Sequence, residues 1–557
     1  MRGLTTYGGR VGATSVSPTA SASDEQRAGK WLLPAGLLAF AAVLGVYLTY
    51  LLRHPLGWTL HALDLHVYYS GGLVARHVRP YWNPHLAAPL YDWAPSVSHG
   101  HYFTYPPFAA LLFTTVSFLP WTLLTRVSIA ANILFLLASV WFTFGMLGYR
   151  AGRSRAGAAL LVSAAVLLAE PVMRDIYLGQ INLALMALIL WDFSQPDRRW
   201  WKGAGIGVAA GIKLVPLIFI PYLLLTRRFR QAAAACAGFA LTVVVGYAVL
   251  PGDSRRWWLH EMFADSGRVV VFIGQESNQS LRGLITRLAG STAAGVPPWV
   301  AAIAIVTVLG LGAAVLLARA GQDVAGVLAC ALTGLLVSPV SWDHHWVWMV
   351  PAVAVAAHYA VTAMRSQARD GWIRAALTWP AAAYWALAAG ICVVYGAWPG
   401  ALWGKSHILG NYGLGVIPVP GSTPDRVSAR GDRPWFTEYH WHGWQVLTGN
   451  AFVLGGLALL AVLVGAAIRV TLTRAAGQPL PAISRPLAGP HSGKRREPAT
   501  SLSTTLASPP GSATDQSASS PGSATDQPAS PSVAPDLRRE PSAYGFALEP
   551  DAGNKEA

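Results

Sequence analysis

Asp64 stands in the stretch "LHALDLHVYYSGG", Leu60 to Gly72, about a dozen residues beyond the first long apolar run. Its apolar neighbours Leu60, Leu63, Val67 and Leu73 fit a short amphipathic helix lying on a membrane surface. A carboxylate at that boundary suits a general base that takes a proton from a hydroxyl of a lipid-anchored substrate. A helix cap or a plain surface charge is the competing reading. The second candidate is "SWDHHW", Ser341 to Trp346, with His344 and His345 adjacent. Neighbouring histidines point to different faces of a helix and do not share a metal in the i, i+4 manner. One of them can meet a phosphate or a sugar while the other packs. Framed by Trp342, Trp346 and Trp348, both also read as members of an interfacial aromatic belt.

Three further stretches carry polar groups at or inside apolar sequence. "MRDIYLGQINLAL", Met173 to Leu185, holds Arg174, Asp175, Gln180 and Asn182. Amides and a guanidinium there can bond sugar hydroxyls or a phosphate, or they cap helices while Arg174 pairs with Asp175. Lys213 lies in "GVAAGIKLVPLIFIPYLL", about eleven residues from the basic flank at Lys202. At 1.5 Å per residue that is about 16 Å, half the hydrocarbon core. A lysine at that depth faces a polar cavity or a partner such as the phosphate of a lipid carrier, unless it snorkels to the surface. "ESNQSLRG", 276–283, offers Asn278, Gln279 and Arg282 as polar ligands, and its Asn278 also matches a glycosylation sequon.

The elements that must position these groups are apolar. Of 557 residues, 53% are hydrophobic and 12% charged, half the charge of a soluble domain at about 25%. Many uncharged stretches approach the roughly 20 residues needed to cross a bilayer. The chain reads as an all-α polytopic membrane protein. A net charge of +15 would suggest nucleic acid in a soluble protein. Here the basic residues cluster between apolar runs, at 198–202, 227–230 and 365–374, which is the positive-inside pattern of a cytoplasmic face. No nucleic-acid partner is expected. Cys236, Cys330 and Cys392 each sit in an apolar run without a CxxC pair, so they read as small buried hydrophobes rather than disulfides or zinc ligands. The run Trp31–Leu52 reads as a retained helix and not a signal peptide.

Candidate membrane segments are 31–52, 106–120, 125–148, 156–172, 179–193, 203–225, 231–251, 298–319, 324–340, 346–364, 375–398 and 446–468. Polar stretches at 53–104, 252–297 and 399–445 fall outside by the charge rule, and "SWDHHW" falls with them. If every segment crossed once, "RAGRSR" (150–155) and "DRRWW" (197–201) would lie outside, against that rule. The better arrangement makes 106–120 re-entrant and 203–225 a hairpin of half-helices turning near "GIKLVP", 211–216, which needs a cavity or protein around it. The stretch 399–445 is dense in aromatics, with Trp403, Tyr412, Trp435, Trp441 and Trp444 suited to sugars or to the membrane surface. Residues 1–30 read as a disordered cytoplasmic N-terminus. Residues 475–557, with "PGSATDQSAS" nearly recurring as "PGSATDQPAS", read as a disordered low-complexity cytoplasmic tail.

Taken in order, "DLHVYY" (64–69), "FTYPPFAALLF" (103–113), "LGQINLAL" (178–185), "AAGIKLVPLIFIPYLL" (209–224), "NQSLRG" (278–283) and "SPVSWDHHW" (338–346) resemble glycosyltransferase family 87, over roughly residues 31–470. The resemblance implies a GT-C glycosyltransferase fold with roughly 11–13 membrane segments and extracytoplasmic active-site loops. It implies an actinobacterial plasma-membrane enzyme that moves mannose from polyprenyl-phosphate mannose to a mannolipid or lipoglycan. On that resemblance Asp64 is the general base, and His344 or His345 lies near the carrier phosphate or the acceptor. Lys213, Arg174, Gln180, Asn182, Asn278 and Gln279 then line the pocket. In-line attack inverts a β-linked donor to an α product, an α-1,2 linkage in the family. No metal or other cofactor is expected, because phosphate is already a competent leaving group. The rivals are transfer from polyprenyl-phosphate arabinofuranose and transport of a lipid-linked sugar. A transporter predicts repeated halves and ionisable residues along the helices, and neither is found.

Overall fold

Backbone amides in lipid are satisfied only within helices or closed barrels, and this chain takes the first course. The computed structural model describes residues 22–53, 62–78, 89–91, 102–260, 269, 273–275, 277–366, 376, 378–396 and 443–477. The helices are α1 (Ala22–Arg53), α2 (Leu63–Val78), α3 (Pro107–Thr114), α4 (Trp121–Met146), α5 (Arg153–Leu167), α6 (Glu170–Leu178), α7 (Asn182–Ser194) and α8 (Ala204–Ile212). They continue with α9 (Phe219–Leu225), α10 (Phe229–Val249), α11 (Pro251–Leu259), α12 (Leu281–Ala289), α13 (Thr292–Arg319) and α14 (Asp323–Val337). The last are α15 (Met349–Ser366), α16 (Trp379–Val394), α17 (Trp444–Gly449) and α18 (Ala451–Ala475). Among the described residues extended pairing is confined to two isolated bridges, Ala169 with Gly396 and Asn278 with Trp342.

Among the described residues six helical stretches are long and apolar enough to cross a membrane: 30–49, 121–146, 229–249, 292–319, 343–366 and 451–475. They become seven if α6 and α7, bent by 112° at a short break, count as one. Each of the twelve runs expected from the sequence is helical at least in part. The run 106–120 yields only the eight residues of α3, about 12 Å of helix, which is too short to cross.

The run 203–225 is broken, and its neighbours show how. A side chain on Gly203, Gly207 or Gly211 of this run would collide with Gln231, Ala235 and Thr242 of α10 in turn. Matching positions therefore advance together, so α8 and α10 run in the same direction. Residues 213–228 must return to the end from which α8 began. The break falls where Pro216 dictates it. A proline ring clashes with the carbonyl four residues back, here Ile212, the last residue of α8. Lys213 follows in extended conformation (φ −146°, ψ 128°), then a 3-10 turn over Val215–Ile218 and α9.

The basic clusters meet at one end of this bundle. Arg230 Nη1 donates to Arg198 O, and Gln231 Nε2 and Lys202 Nζ both donate to Asp197 Oδ1. Arg228 pairs with Asp323, Arg319 reaches Leu225 O, and Arg474 reaches Arg319 O. Arg155 binds the Trp141 and Tyr149 carbonyls near the end of α4. With 106–120 too short to cross and 203–225 doubling back, 150–155 and 197–202 join the other cationic clusters.

Two expectations change or fall outside what is described. Cys236 is exposed on α10 rather than buried, Cys392 is half-buried, and only Cys330 is a buried small hydrophobe. Residues 1–21, 54–61, most of 79–101, 397–442 and the tail beyond 477, with Trp403, Tyr412, Trp435 and Trp441, lie outside the described residues.

The close approach of α8 to α10 is testable. Gly207→Val places a branched side chain against the Ala235 carbonyl and should cost about 1–3 kcal/mol by overpacking. Thermal unfolding of the detergent-solubilised variant should show a lowered midpoint. An unchanged midpoint would contradict the parallel contact.

Candidate functional site

At the end away from the basic clusters, polar side chains converge from α2, the α6–α7 bend, the α8 break and the turn before α15. The α6–α7 bend is built by Gly179, which takes the left-handed conformation (φ 69°) that closes α6. A Cβ there would also strike Leu65 of α2, so the glycine serves both the turn and the approach of α2. The Ala62 N–H donates to Tyr177 O at 2.9 Å and tethers the start of α2 to the same bend. Asp64 follows in the first turn of α2, where the helix dipole favours a carboxylate.

Asp64 is half-buried and has no hydrogen bond or ion pair among the described residues. Lys213, Tyr68, Tyr105 and Asp175 lie within electrostatic reach of it. Tyr68 lies one helical turn beyond Asp64, on the same face. Its hydroxyl donates to Gln180 Oε1 at 2.6 Å and meets the Tyr105 hydroxyl at 3.0 Å. Burial pushes both tyrosine hydroxyls above their ordinary range, so they act as neutral hydrogen-bonding groups.

Lys213 Nζ donates to Asn182 Oδ1 at 2.8 Å and lies 3.0 Å from His345 Nε2. It also stands 5.8 Å from the centre of the Tyr105 ring. Asn182 in turn donates to Asp175 Oδ1 at 2.7 Å and to the His344 carbonyl at 3.3 Å. Asp175 accepts the Leu183 N–H through its other oxygen and so caps α7. The expected Arg174–Asp175 pair is not the one formed. Arg174 Nη1 bonds Asp343 Oδ2 at 2.7 Å, because the α6–α7 bend turns Asp175 toward the start of α7. Asp343 Oδ1 accepts the His344 backbone N–H at 2.7 Å and faces His344 Nδ1 at 3.1 Å. Glu170, at the start of α6, lies within electrostatic reach of Asp343 and Arg174.

The histidine turn is set by the segment before α12. Asn278 pairs with Trp342 as a bridge, Asp343 N donates to Ser277 O, and Gln279 N donates to Ser341 O. The Asn278 side chain is spent on this frame: Oδ1 accepts Ser341 N and Ser280 N, and Nδ2 donates to Ile273 O and Pro339 O. The Gln279 amide donates to Gly449 O and accepts Phe452 N and Val453 N, fastening the frame to α18. Beneath it, buried Arg287 donates to the Gly274, Gln275 and Asn278 carbonyls and to Asn450 Oδ1.

The structure therefore brings Asp64, Lys213, Gln180, Asn182 and His345 together, with Arg174 and His344 adjoining through Asp343. Asn278 and Gln279 hold the backbone that presents the histidines, a different place from the pocket lining read in the sequence. Asn278 is fully buried, so the sequon is closed to a glycan in this fold. Arg282 stacks over Trp299. Tyr68, Tyr105, Asp343 and Glu170 carry no candidate role in the sequence, and Asp175 only that of a partner for Arg174. The first had a signal in its i, i+4 spacing from Asp64, and Asp343 one in its adjacency to the histidine pair. Among the described residues no group of three His, Cys, Asp or Glu side chains is arranged to hold a metal.

Membrane-spanning helices with a carboxylate, an ammonium and two imidazoles gathered at one end make an all-α polytopic membrane protein with a polar site among apolar helices. The chain belongs to glycosyltransferase family 87, whose model matches residues 103–339. It is 36% identical over 305 residues to the polyprenol-phosphate-mannose-dependent alpha-(1-2)-phosphatidylinositol pentamannoside mannosyltransferase of Mycobacterium tuberculosis, covering 53% of this chain and 68% of that one. The protein so described in Mycolicibacterium smegmatis is 33% identical over 382 residues, 67% of this chain and 86% of its own. A phosphatidylinositol mannoside mannosyltransferase of Mycobacterium tuberculosis, dependent on the same donor, is 32% identical over 321 residues, 56% and 74% of the two chains. No solved structure matches.

Asn278 offers a direct test of the frame. Asn278→Ala leaves the buried Ser341 and Ser280 amides without their acceptor and should cost about 1–3 kcal/mol. The readout is the thermal midpoint of the purified chain. A midpoint equal to wild type would mean that the histidine turn does not hang on Asn278.

Proposed function

We propose that this transferase moves mannose from a polyprenyl-phosphate mannose to a lipid-anchored mannoside, such as a phosphatidylinositol mannoside or a lipoglycan. The names of its relatives in the family supply the donor and the acceptor class. Asp64 carries the reading: a half-buried carboxylate without a hydrogen bond or ion pair among the described residues, within electrostatic reach of the Lys213 ammonium. Asp64 takes the proton of the acceptor hydroxyl as its oxygen attacks C1 of the donor mannose. The new C–O bond forms as the bond from C1 to the phosphate oxygen breaks, and the electron pair leaves with the polyprenyl phosphate. Attack from the face opposite the leaving group turns a β-linked donor into an α product, an α-1,2 linkage in the family. Lys213, held by Asn182 and His345, stabilises the charge gathering on the departing phosphate.

The long hydrocarbon of such substrates accounts for a site built at the end of a membrane bundle. The catalytic unit spans residues 31–470, and α1 begins before it at Ala22, where the sequence alone reads a disordered terminus up to residue 30. The basic end faces the cytoplasm by the charge rule, so the site opens on the extracytoplasmic side of the plasma membrane.

The test uses the purified full-length chain, radiolabelled polyprenyl-phosphate mannose and a membrane extract containing mannolipids. Wild type should label a mannolipid. Asp64→Asn should lower transfer by about 10²–10⁴-fold, the share of a general base, while donor binding stays intact. Full turnover in that variant would remove Asp64 from the base role. Transfer from the arabinofuranose donor and not from the mannose donor would change the sugar.

A further inference from the structure

His344 has one ring nitrogen engaged and one left over. Nδ1 faces Asp343 Oδ1 at 3.1 Å, and a carboxylate oxygen accepts but does not donate, so Nδ1 carries a proton. Nε2 is buried and has no hydrogen-bond partner among the described residues. A second proton there would make a buried cationic donor without an acceptor, which is costly. It would also stand next to His345, whose ring centre is 4.9 Å away and whose Nε2 is 3.0 Å from the Lys213 ammonium. A bare lone pair at Nε2 avoids both costs.

We propose that Asp343, itself held by Arg174, fixes His344 as the Nδ1–H tautomer so that Nε2 accepts a hydrogen bond from a sugar hydroxyl. The choice of a sugar rests on the transfer reading above. A bare imidazole nitrogen accepts from a hydroxyl, whereas an ionised phosphate oxygen offers it no proton. The two histidines then divide the work. His345 takes a hydrogen bond from Lys213 on the phosphate side, and His344 meets the sugar. Asp343 and Arg174 are positioning residues that act through His344.

Arg174 separates the proposal from a structural ion pair. Asp343 Oδ1 accepts the His344 backbone N–H and faces Nδ1, while Oδ2 faces Arg174. Asp343→Ala removes the acceptor that fixes the proton on Nδ1, and the His344 ring is then free to carry it on either nitrogen. Arg174→Met leaves the carboxylate in place beside both His344 donors. A purely structural ion pair predicts the opposite, that Arg174→Met is as impaired as Asp343→Ala.

The experiment is ¹⁵N NMR of the histidine-labelled full chain in lipid without substrate, with His344 assigned by difference against His344→Gln. The expected result is a protonated Nδ1 and a bare Nε2 in wild type and in Arg174→Met, with that preference lost in Asp343→Ala. In the radiolabel assay Asp343→Ala should lose about 10- to 100-fold in kcat, the worth of one hydrogen bond to the substrate. Donor binding should hold, and Arg174→Met should lose less than Asp343→Ala. A doubly protonated His344 or an Nε2–H tautomer in wild type overturns the proposal, and the wild-type spectrum decides this even if the variants fail to fold. An unchanged tautomer in Asp343→Ala overturns it too. Expected tautomers with no transfer by wild type would leave the positioning in place and overturn the sugar-transfer reading.

Discussion

An ammonium group surrounded by apolar helices needs acceptors around it, and the site is arranged about how Lys213 obtains them. Pro216 ends α8 at Ile212, which leaves Lys213 extended at the apex of a turn. Gly179 ends α6 and lets α7 begin at Asn182, one acceptor for Lys213. The turn before α15 delivers His345 as the other. Each partner sits where a regular helix has been interrupted. A continuous helix spends its backbone on itself and projects side chains sideways, so a cluster of this density requires several helix ends to meet.

The interruptions are themselves secured by polar contacts that would be costly to leave unmade. Asn278 and Gln279 divide the task. One binds the strand-like stretch 339–341, the other the start of α18. Arg287 underlies both through backbone carbonyls and Asn450. This frame is why two consecutive histidines face different partners, His344 toward Asp343 and His345 toward Lys213. The same frame shows how an amide in a motif can matter for function without touching a substrate.

At the other end the bundle answers to charge. Gly203, Gly207 and Gly211 let α8 lie against α10 in parallel, and this contact forces residues 213–228 to double back. The return brings 227–230 to 197–202 and makes the cationic end continuous. The hairpin thus serves two purposes, gathering the arginines on one side and holding Lys213 at its turn on the other.

The sequence by itself determined that the chain is helical and membrane-embedded, because apolar runs near the length of a bilayer with basic clusters between them allow little else. It also pointed to Lys213 through the cost of its depth, and to a 106–120 that does not cross and a folded-back 203–225 through the charge rule. Asp64, the histidine pair and the Gln180–Asn182 stretch were legible as polar groups at apolar boundaries. Only the tertiary structure decided their partners. Arg174 adjoins Asp175 in the chain yet bonds Asp343, and Asn278 and Gln279 turn to backbone carbonyls and amides. Hydrogen bonds between residues more than a hundred positions apart depend on where helix ends meet, and periodicity and composition along one chain do not encode that meeting.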